Sequence, residues 1–303
     1  MKLITRSDFD GLACGALLLY LELINEWEFV HPKDLQDGKI DVTDNDILAN
    51  VPYVPGCKLW FDHHSSETER LGSNAYFEGI SRPAASCARV VYEYYGGDQK
   101  LGRFAEMIRY VDKVDSADLS INEIENPSGW ILLGFIMDPR TGLGRFREFT
   151  ISNYELMKKL AAACSELNIE EILAMSDVKE RINVYFEQEE KFRAMLKKVC
   201  KTDGNVIFAD MRGIDTIFAG NRFTMYTMFP EQNISVWVVD GRNKQNCVIT
   251  VGYSIINRTA TVDVGGMLFK YGGGGHTMVG TCQVPYDEAE QAISDIIEKC
   301  KAK

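Results

Sequence analysis

The sequence opens on a strand, an acidic turn and an apolar helix, and this order restricts the fold more than any other feature. The first seven residues have the composition of a short strand, Asp8-Phe9-Asp10-Gly11 interrupts it, and the apolar run at 12–23 has the length of a helix. This order begins a βα unit, and open α/β sheets bind their ligands beyond the carboxyl ends of the strands. We therefore expect the acidic turn to lie at the edge of the sheet where ligands bind.

Two further predicted strands end in polar clusters, and a strand at 27–30 is predicted beside them. Asp44-Asn45-Asp46 follows the predicted strand at 40–43, and Asp62-His63-His64 follows the predicted strand at 57–61. The carboxyl ends of parallel strands meet at one edge of a sheet, so these clusters are expected to converge.

A fourth acidic cluster, Asp112 and Asp115, follows a predicted helix at 101–111. A single aspartate more often caps a turn or a helix, but four such clusters together favour a common site. Mixed carboxylate and imidazole ligands suit Mn²⁺ or Mg²⁺ better than an ion that prefers thiolates. The sequence therefore predicts a divalent metal site.

The remainder of the chain predicts a connector and a second domain. Residues 151–198 are charged and lack Gly and Pro, and 179–198 has the pattern of one long amphipathic helix. Short β-like runs then precede a final helix from about residue 286. We predict an α/β fold with a mainly parallel-sheet domain at 1–175, a helical connector at 176–200 and a smaller α/β domain at 201–303.

Charge and composition restrict the partners. The 33 Lys and Arg residues stand against 44 Asp and Glu residues, which gives a net charge of −11. Long nucleic acids bind through clustered cations, so they are not expected, whereas short phosphorylated ligands remain candidates. The sequence shows neither a membrane-spanning run nor an export signal, and its eight cysteines form no C-x-x-C pair. We expect a cytoplasmic protein with reduced thiols, and a homodimer is an assembly that the sequence allows.

Three motifs carry a resemblance to a known family. Asp8-Phe9-Asp10-Gly11, Asp62-His63-His64 and the run of four glycines before His276 occur in this order across almost the whole chain. This pattern resembles the DHH phosphoesterase superfamily, with its DHH-associated C-terminal domain. The segments T-R-S-D-F-D-G and, at 140–146, R-T-G-L-G-R-F resemble the branch labelled exopolyphosphatase-related.

The resemblance implies a set of metal ligands for Mn²⁺, with Mg²⁺ as the other candidate. Asp8 and Asp10 match the carboxylates of the first motif, and His63 matches the metal-binding histidine. Asp112 matches the aspartate of the fourth motif. The aspartate that bridges two ions in the family is matched to Asp46, with Asp44 as the alternative.

The chain departs from the family at Ile4, where the first motif commonly has a histidine that binds one of two ions. By the family's division of ligands, one site keeps Asp10, Asp46, His63 and Asp112. The other keeps only two carboxylates. Arg6 lies close by in sequence, and we expect it to place a positive charge near the depleted site or to bind substrate phosphate.

The resemblance also assigns the groups that act on the substrate. His64 matches the histidine that faces the phosphoryl group, and with Asp10 it is the predicted catalytic pair. Gly272, Gly273, Gly274 and Gly275 would let backbone N–H groups approach a phosphate. His276 and Arg258 would add charged contacts. The family arrangement implies an active site in a cleft between the two domains.

These observations predict a metal-dependent phosphoesterase in which activated water attacks phosphorus. The acidic chain favours a small substrate: a short oligonucleotide, a 3′-phosphorylated adenylate, a linear dinucleotide or a short polyphosphate. The competing hypothesis is a nucleotide- or phosphate-binding module that lost turnover when the histidine became Ile4.

Overall fold

The chain is divided into two compact units, each described here by itself. The computed structural model describes residues 1–64, 67, 70, 71 and 76–301. The first unit comprises Met1–Asp118 and Pro127–Tyr185, and the second comprises Leu119–Asn126 and Phe186–Lys303. Among the described residues, no helix combines the length and apolar character that a bilayer crossing requires.

The first unit is built on a five-stranded sheet in which every pair is parallel. The spatial order is β2-β1-β3-β4-β5. The strands are β1 Lys2–Arg6, β2 Glu26–Val30, β3 Asp46–Ala49, β4 Leu59–Asp62 and β5 Gly79–Ser81. This sheet confirms the predicted fold class.

Helices follow and flank these strands. They are α1 Phe9–Tyr20, α2 Pro32–Gln36, α3 Cys87–Tyr94, α4 Gly97–Leu101, α5 Ala105–Asp115, α6 Ile121–Glu125, α7 Gly129–Met137, α8 Asn153–Glu166, α9 Ile169–Ala174 and α10 Ser176–Val199. Short 3₁₀ turns occur at Gly102–Phe104, Pro139–Thr141 and Leu143–Arg145. Of these elements, α6 belongs to the second unit, and α10 contains the boundary between Tyr185 and Phe186.

The two faces of the first sheet pack into different cores, because side chains alternate along a strand. Leu3, Ile47 and Phe61 pack with α1, α3, α5 and α8 in the larger core. Ile4, Leu48 and Trp60 face the opposite side, in a smaller core with Val30 and Leu35. Strands that are buried on both faces are typical of parallel sheets.

The prediction of a strand at 40–43 is wrong, and this error changes the site. Residues 40–43 form no strand, and β3 begins instead at Asp46. Both the backbone N–H and the hydroxyl of Thr43 donate to Asp46 Oδ2, at 2.7 and 2.9 Å, which closes a turn before the strand. The buried run after Asp46, not the alternating run before it, pairs with β1.

The second unit contains a mixed six-stranded sheet of order β10-β11-β9-β8-β7-β6. Its strands are β6 Cys200–Asp203, β7 Val206–Asp210, β8 Ile234–Asp240, β9 Cys247–Tyr253, β10 Gly274–His276 and β11 Val279–Val284. Only the β7–β8 pair among these is parallel. The helices are α11 Thr224–Met228, α12 Val264–Phe269 and α13 Tyr286–Lys301, with a 3₁₀ turn at Arg242–Lys244. Residues of β7, β8, β9, β11 and of α12 and α13 share one core.

The position of Ile4 generates the first prediction. Its side chain is fully buried in the smaller core beside Leu48 and Trp60. Replacement of Ile4 by His therefore buries an imidazole without a partner, which costs about 1 to 3 kcal/mol in addition to lost packing. We expect Ile4→His to lower the melting temperature and to add no Mn²⁺ site. Ile4→Val should keep the melting temperature and the Mn²⁺ binding near those of the wild type. Tighter binding of a second Mn²⁺ by Ile4→His, measured by calorimetric titration, would contradict this orientation.

Candidate active site

The acidic turn between β1 and α1 is fixed by Asp8 and Gly11. Asp8 is the N-cap of α1, and its Oδ1 accepts the N–H of Gly11 at 2.9 Å. A Cβ on Gly11 would lie 2.1 Å from the carbonyl oxygen of Arg6, so only glycine lets the helix start this close to the strand. The spacing of the D-x-D-G motif therefore has a local structural cause, and it leaves Asp10 in the first turn of α1.

Asp10 is buried, and the N-terminus of α3 holds it. Its two carboxylate oxygens accept the N–H groups of Cys87 and Ala88 at 2.9 and 2.7 Å. Helix N-termini stabilise negative charge through these N–H groups. Burial nevertheless raises the pKa of Asp10 well above its ordinary value, with added repulsion from Asp115 and Asp8. Asp10 is thus a carboxylate that lacks sufficient positive charge nearby.

His63 supplies a free ring nitrogen beside this carboxylate. Its Nδ1 lies 3.2 Å from the carbonyl oxygen of Ala84, which favours a proton on Nδ1 and a lone pair on Nε2. Nε2 is buried and has no hydrogen-bond partner among the described residues. It lies 3.7 Å from Asp10 Oδ2 and 3.4 Å from Asp115 Oδ2.

Asp10, His63 and Asp115 together fit a divalent cation. Their ligand atoms all lie within 4.8 Å of one another. Oxygen and nitrogen ligands at about 2.1 Å from an ion stand roughly 3 Å apart in an octahedral site, so a small contraction would close the set. A bound cation would give His63 Nε2 a bonding partner, and it would lower the raised pKa of Asp10 by stabilising the carboxylate.

His64 lies next to this cluster but points its Nδ1 at Asp62, at 2.9 Å. Asp62 is fully buried, whereas the His64 side chain is 33% exposed. Partial burial opposes protonation of His64, but the hydrogen bond and charge of Asp62 outweigh it, so the pKa of His64 is raised above its ordinary value. The imidazole is oriented by Asp62 and remains accessible, as a proton donor to a phosphoryl oxygen must be. Sequence reasoning predicts no separate role for Asp62.

In the structure the Asp112 carboxylate is bonded to other partners and lies outside the cluster of Asp10, His63 and Asp115, so its role as a metal ligand stays a prediction. Its Oδ1 accepts the hydroxyl of Ser86 at 2.7 Å, and its Oδ2 accepts two N–H groups of Arg89 at 2.6 and 2.9 Å. Ser86 in turn caps α3. Asp112 therefore supports the helix end that holds Asp10, and Asp115, three residues later on α5, joins the cluster instead.

Asp46 also lies outside the cluster, because β3 begins at this residue. It begins β3 and pairs with Lys2 at the start of β1, so it lies at the opposite end of the strands from Asp8. Asp44 lies in the turn before β3 and does not replace it. The residue that follows the carboxyl end of β3 is Asn50, whose Nδ2 donates to Asp8 Oδ1 at 3.1 Å.

Two arginines border the site. Arg6 forms an ion pair with Asp8, with Nε 2.9 Å from Oδ2. Arg140 forms an ion pair with Asp138 and lines a small depression together with Asp8, Asp10 and Asp115. Carboxylate charge from Asp138, Asp8 and Asp115 outweighs the effect of its own burial and raises the pKa of Arg140. Of these two arginines, only Arg6 is predicted from the sequence as a residue near the metal.

The glycine run and Arg258 lie in the second unit. The N–H groups of Gly272 and Gly273 donate to the carbonyl groups of Phe269 and Leu268, so they end α12. A Cβ on Gly273 would lie 2.4 Å from Cys282 Cβ, so close packing against Cys282 requires glycine at this position. Gly274, Gly275 and His276 form the edge strand β10. His276 and Arg258 are exposed, and Arg258 Nε donates to the carbonyl of Ile255 at 3.0 Å.

Comparison with known proteins gives matches among solved structures, while no family model and no curated protein matches the chain. The pGpG-specific phosphodiesterase PggH from Vibrio cholerae is 44% identical, with a TM-score of 0.86 over 99% of each chain. The chain belongs to the DHH phosphoesterase superfamily. It is accordingly a phosphoesterase, as the sequence predicts.

More distant members of the DHH superfamily share the fold. An exopolyphosphatase-related protein from Bacteroides fragilis is 14% identical, with a TM-score of 0.52, over 99% of this chain and 92% of that one. A DHH domain from a member of the S1p family of ribosomal proteins is 12% identical, with a TM-score of 0.53, over 99% of this chain and 86% of that one. At these identities the likeness establishes the architecture alone.

The different partners of the two carboxylates on α5 generate the second prediction. Asp115→Asn removes a charge from the cluster, so we expect Mn²⁺ affinity to fall at least tenfold with little change in melting temperature. Asp112→Asn breaks the pair with Arg89, so we expect Mn²⁺ binding to persist while the free energy of unfolding falls by about 1 to 3 kcal/mol. Calorimetric titration and thermal unfolding of both variants measure these effects. Loss of Mn²⁺ binding in Asp112→Asn alone would restore Asp112 as the ligand.

Proposed function

We propose that this chain hydrolyses the linear dinucleotide pGpG to two molecules of GMP, using Mn²⁺ held by Asp10, His63 and Asp115. The observation that carries the substrate is the 44% identity to the pGpG-specific phosphodiesterase over 99% of both chains. One water is consumed, the internal phosphodiester bond breaks, and the 3′-oxygen leaves with a proton. A linear dinucleotide is also among the substrates that the sequence favours.

The donor set supports a divalent ion at this site. Two carboxylates and an imidazole suit Mn²⁺, because carboxylates favour Mg²⁺ and Mn²⁺ while an imidazole favours transition metals over Mg²⁺. When bound, such an ion lowers the pKa of a water molecule and offsets negative charge on the phosphoryl oxygens. The N–H groups of Cys87 and Ala88 keep the Asp10 carboxylate in place for that ion.

His64 is proposed as the proton donor. Asp62 orients its ring through Nδ1, so Nε2 is the nitrogen left to approach the substrate. The raised pKa of His64 keeps the ring protonated further toward neutral pH. A positioned imidazolium can donate to a non-bridging phosphoryl oxygen and then protonate the leaving 3′-oxygen.

The second unit is proposed to supply phosphate contacts. His276 and Arg258 are exposed, and Gly274 and Gly275 lie on an edge strand. Gly272 and Gly273 would contribute through the shape of the turn, since their N–H groups are already bonded to α12.

The cell compartment is proposed from the thiols. All eight cysteines are free, and burial raises the pKa of several of them, including Cys14 to about 11. Buried unpaired thiols are typical of a reducing compartment, which supports the cytoplasm as the location.

The substrate is tested by incubating the purified chain and Mn²⁺ with pGpG, pApA and short polyphosphate, and by following products chromatographically. We expect GMP from pGpG, a slower release of AMP from pApA and no orthophosphate from polyphosphate. The absence of GMP, with rapid release of phosphate from polyphosphate, would contradict the proposal.

The role of His64 generates the third prediction. His64→Ala should lower kcat for pGpG by about 10²- to 10⁴-fold, the usual contribution of a general acid, while Mn²⁺ still binds. The matched control is His31→Ala, because His31 caps the short helix α2 away from the cluster. Wild-type kcat in His64→Ala would remove this residue from the reaction.

A further inference from the structure

We propose that this chain works with a single divalent ion and that the guanidinium of Arg6 supplies the second positive charge at the active site. This proposal rests on the metal centre of the proposed function but not on the identity of the substrate. It follows from the way Asp8 is bonded and from the residues around it.

Both oxygens of Asp8 are already engaged. Oδ2 lies 2.9 Å from Arg6 Nε. Oδ1 accepts the N–H of Gly11 at 2.9 Å and the Nδ2 of Asn50 at 3.1 Å. Asp8 therefore differs from Asp10, His63 and Asp115, whose ligand atoms converge on one point. Its side chain caps a helix and pairs with a cation that the chain itself provides.

Among the described residues, Asn50, Ile4 and Asp46 supply no further anionic ligand beside Asp8. Asn50, at the carboxyl end of β3, is a neutral amide and cannot bridge two ions as a carboxylate does. Its Nδ2 is committed to Asp8, which fixes the orientation of the amide and leaves Oδ1 buried without a hydrogen-bond partner among the described residues. Ile4 is turned into the smaller core, and Asp46 lies at the other end of the sheet.

The charges of the site balance with one ion. Three carboxylates, Asp8, Asp10 and Asp115, are offset by one divalent ion together with the Arg6 guanidinium. The pairs Asp62–His64 and Asp138–Arg140 are each neutral by themselves. A second divalent ion would add positive charge that no further carboxylate of the cluster offsets among the described residues, and at Asp8 Oδ2 it would have to displace Arg6.

Arg6 is suited to the task that the second ion would perform. Its side chain is 40% exposed, and its contact with Asp8 is made through Nε. A guanidinium carries five N–H donors in a planar fork that matches the oxygens of a phosphate. Arg6 can therefore remain paired with Asp8 through Nε and bind the substrate phosphate through its other N–H groups.

The test begins with the number of ions. Mn²⁺ bound to the wild-type chain is counted by the loss of the free-ion electron paramagnetic resonance signal, with and without saturating GMP. We expect one ion per chain in both conditions. Two ions per chain in either condition would overturn the proposal, whatever substrate the enzyme hydrolyses.

The role of Arg6 is tested by phosphate affinity at one equivalent of Mn²⁺. Calorimetric titration with GMP, and separately with inorganic phosphate, should show affinities about ten- to a hundredfold lower in Arg6→Ala, the range expected for a charge-assisted contact. Arg6→Lys should recover part of the loss. The matched control is Arg109→Ala, an exposed arginine on α5 that pairs with Glu106.

Unchanged affinity for both probes in Arg6→Ala would overturn the role of Arg6. The inorganic phosphate titration keeps this outcome separate from the substrate assignment, because phosphate carries no guanine. If pGpG is not hydrolysed but one Mn²⁺ and an Arg6-dependent phosphate site are found, the substrate proposal fails and this one stands.

Discussion

A buried carboxylate, Asp10, is the constraint on which the rest of the first unit depends. An ionised group removed from water costs several kcal/mol unless other groups compensate it. Two N–H groups at the start of α3 supply part of that compensation. Asp115 and Asp8 act in the opposite direction and raise the pKa of Asp10 further. The remaining deficit of positive charge is what favours a cation at the cluster of Asp10, His63 and Asp115.

The surrounding residues hold this arrangement in place from several sides. Gly11 lets α1 begin against the end of β1, so Asp10 enters the core. Asp112, Ser86 and Arg89 fix the start of α3, and α3 in turn fixes Asp10. Ala84 sets the proton position on His63, and Asp62 does the same for His64. Residues outside a metal's own ligands commonly determine its affinity in this way.

Much of the fold and of the candidate site was predictable from the sequence, because the motifs and hydrophobic patterns that indicate them are local. The strand, acidic turn and helix at the N-terminus place Asp8 and Asp10 at a sheet edge, and His63 follows β4 directly. The charged, amphipathic pattern without Gly or Pro at 179–198 predicted the long helix α10. The superfamily was predictable from three ordered motifs, and the comparison with PggH confirms it.

The predictions differ from the structure where two neighbouring segments, or two neighbouring residues, have nearly equal sequence signals. The alternating run at 40–43 and the apolar run after Asp46 are both strand-like, and only pairing with β1 selects the second. That shift of a few residues moves Asp46 to the far end of the sheet and brings Asn50 to the site. Asp112 and Asp115 share one face of α5, and only the contact of Asp112 with Arg89 separates them. Neither the register of β3 nor the position of Arg89 can be predicted from the spacing of residues in the sequence.

Anomalous diffraction at the manganese edge from crystals of the wild-type chain soaked in Mn²⁺ tests the central claim most directly. The account predicts one strong peak, about 2.1 to 2.3 Å from His63 Nε2 and from oxygens of Asp10 and Asp115. A peak coordinated by Asp46 or Asp112, or a pair of peaks sharing Asp8, would contradict it.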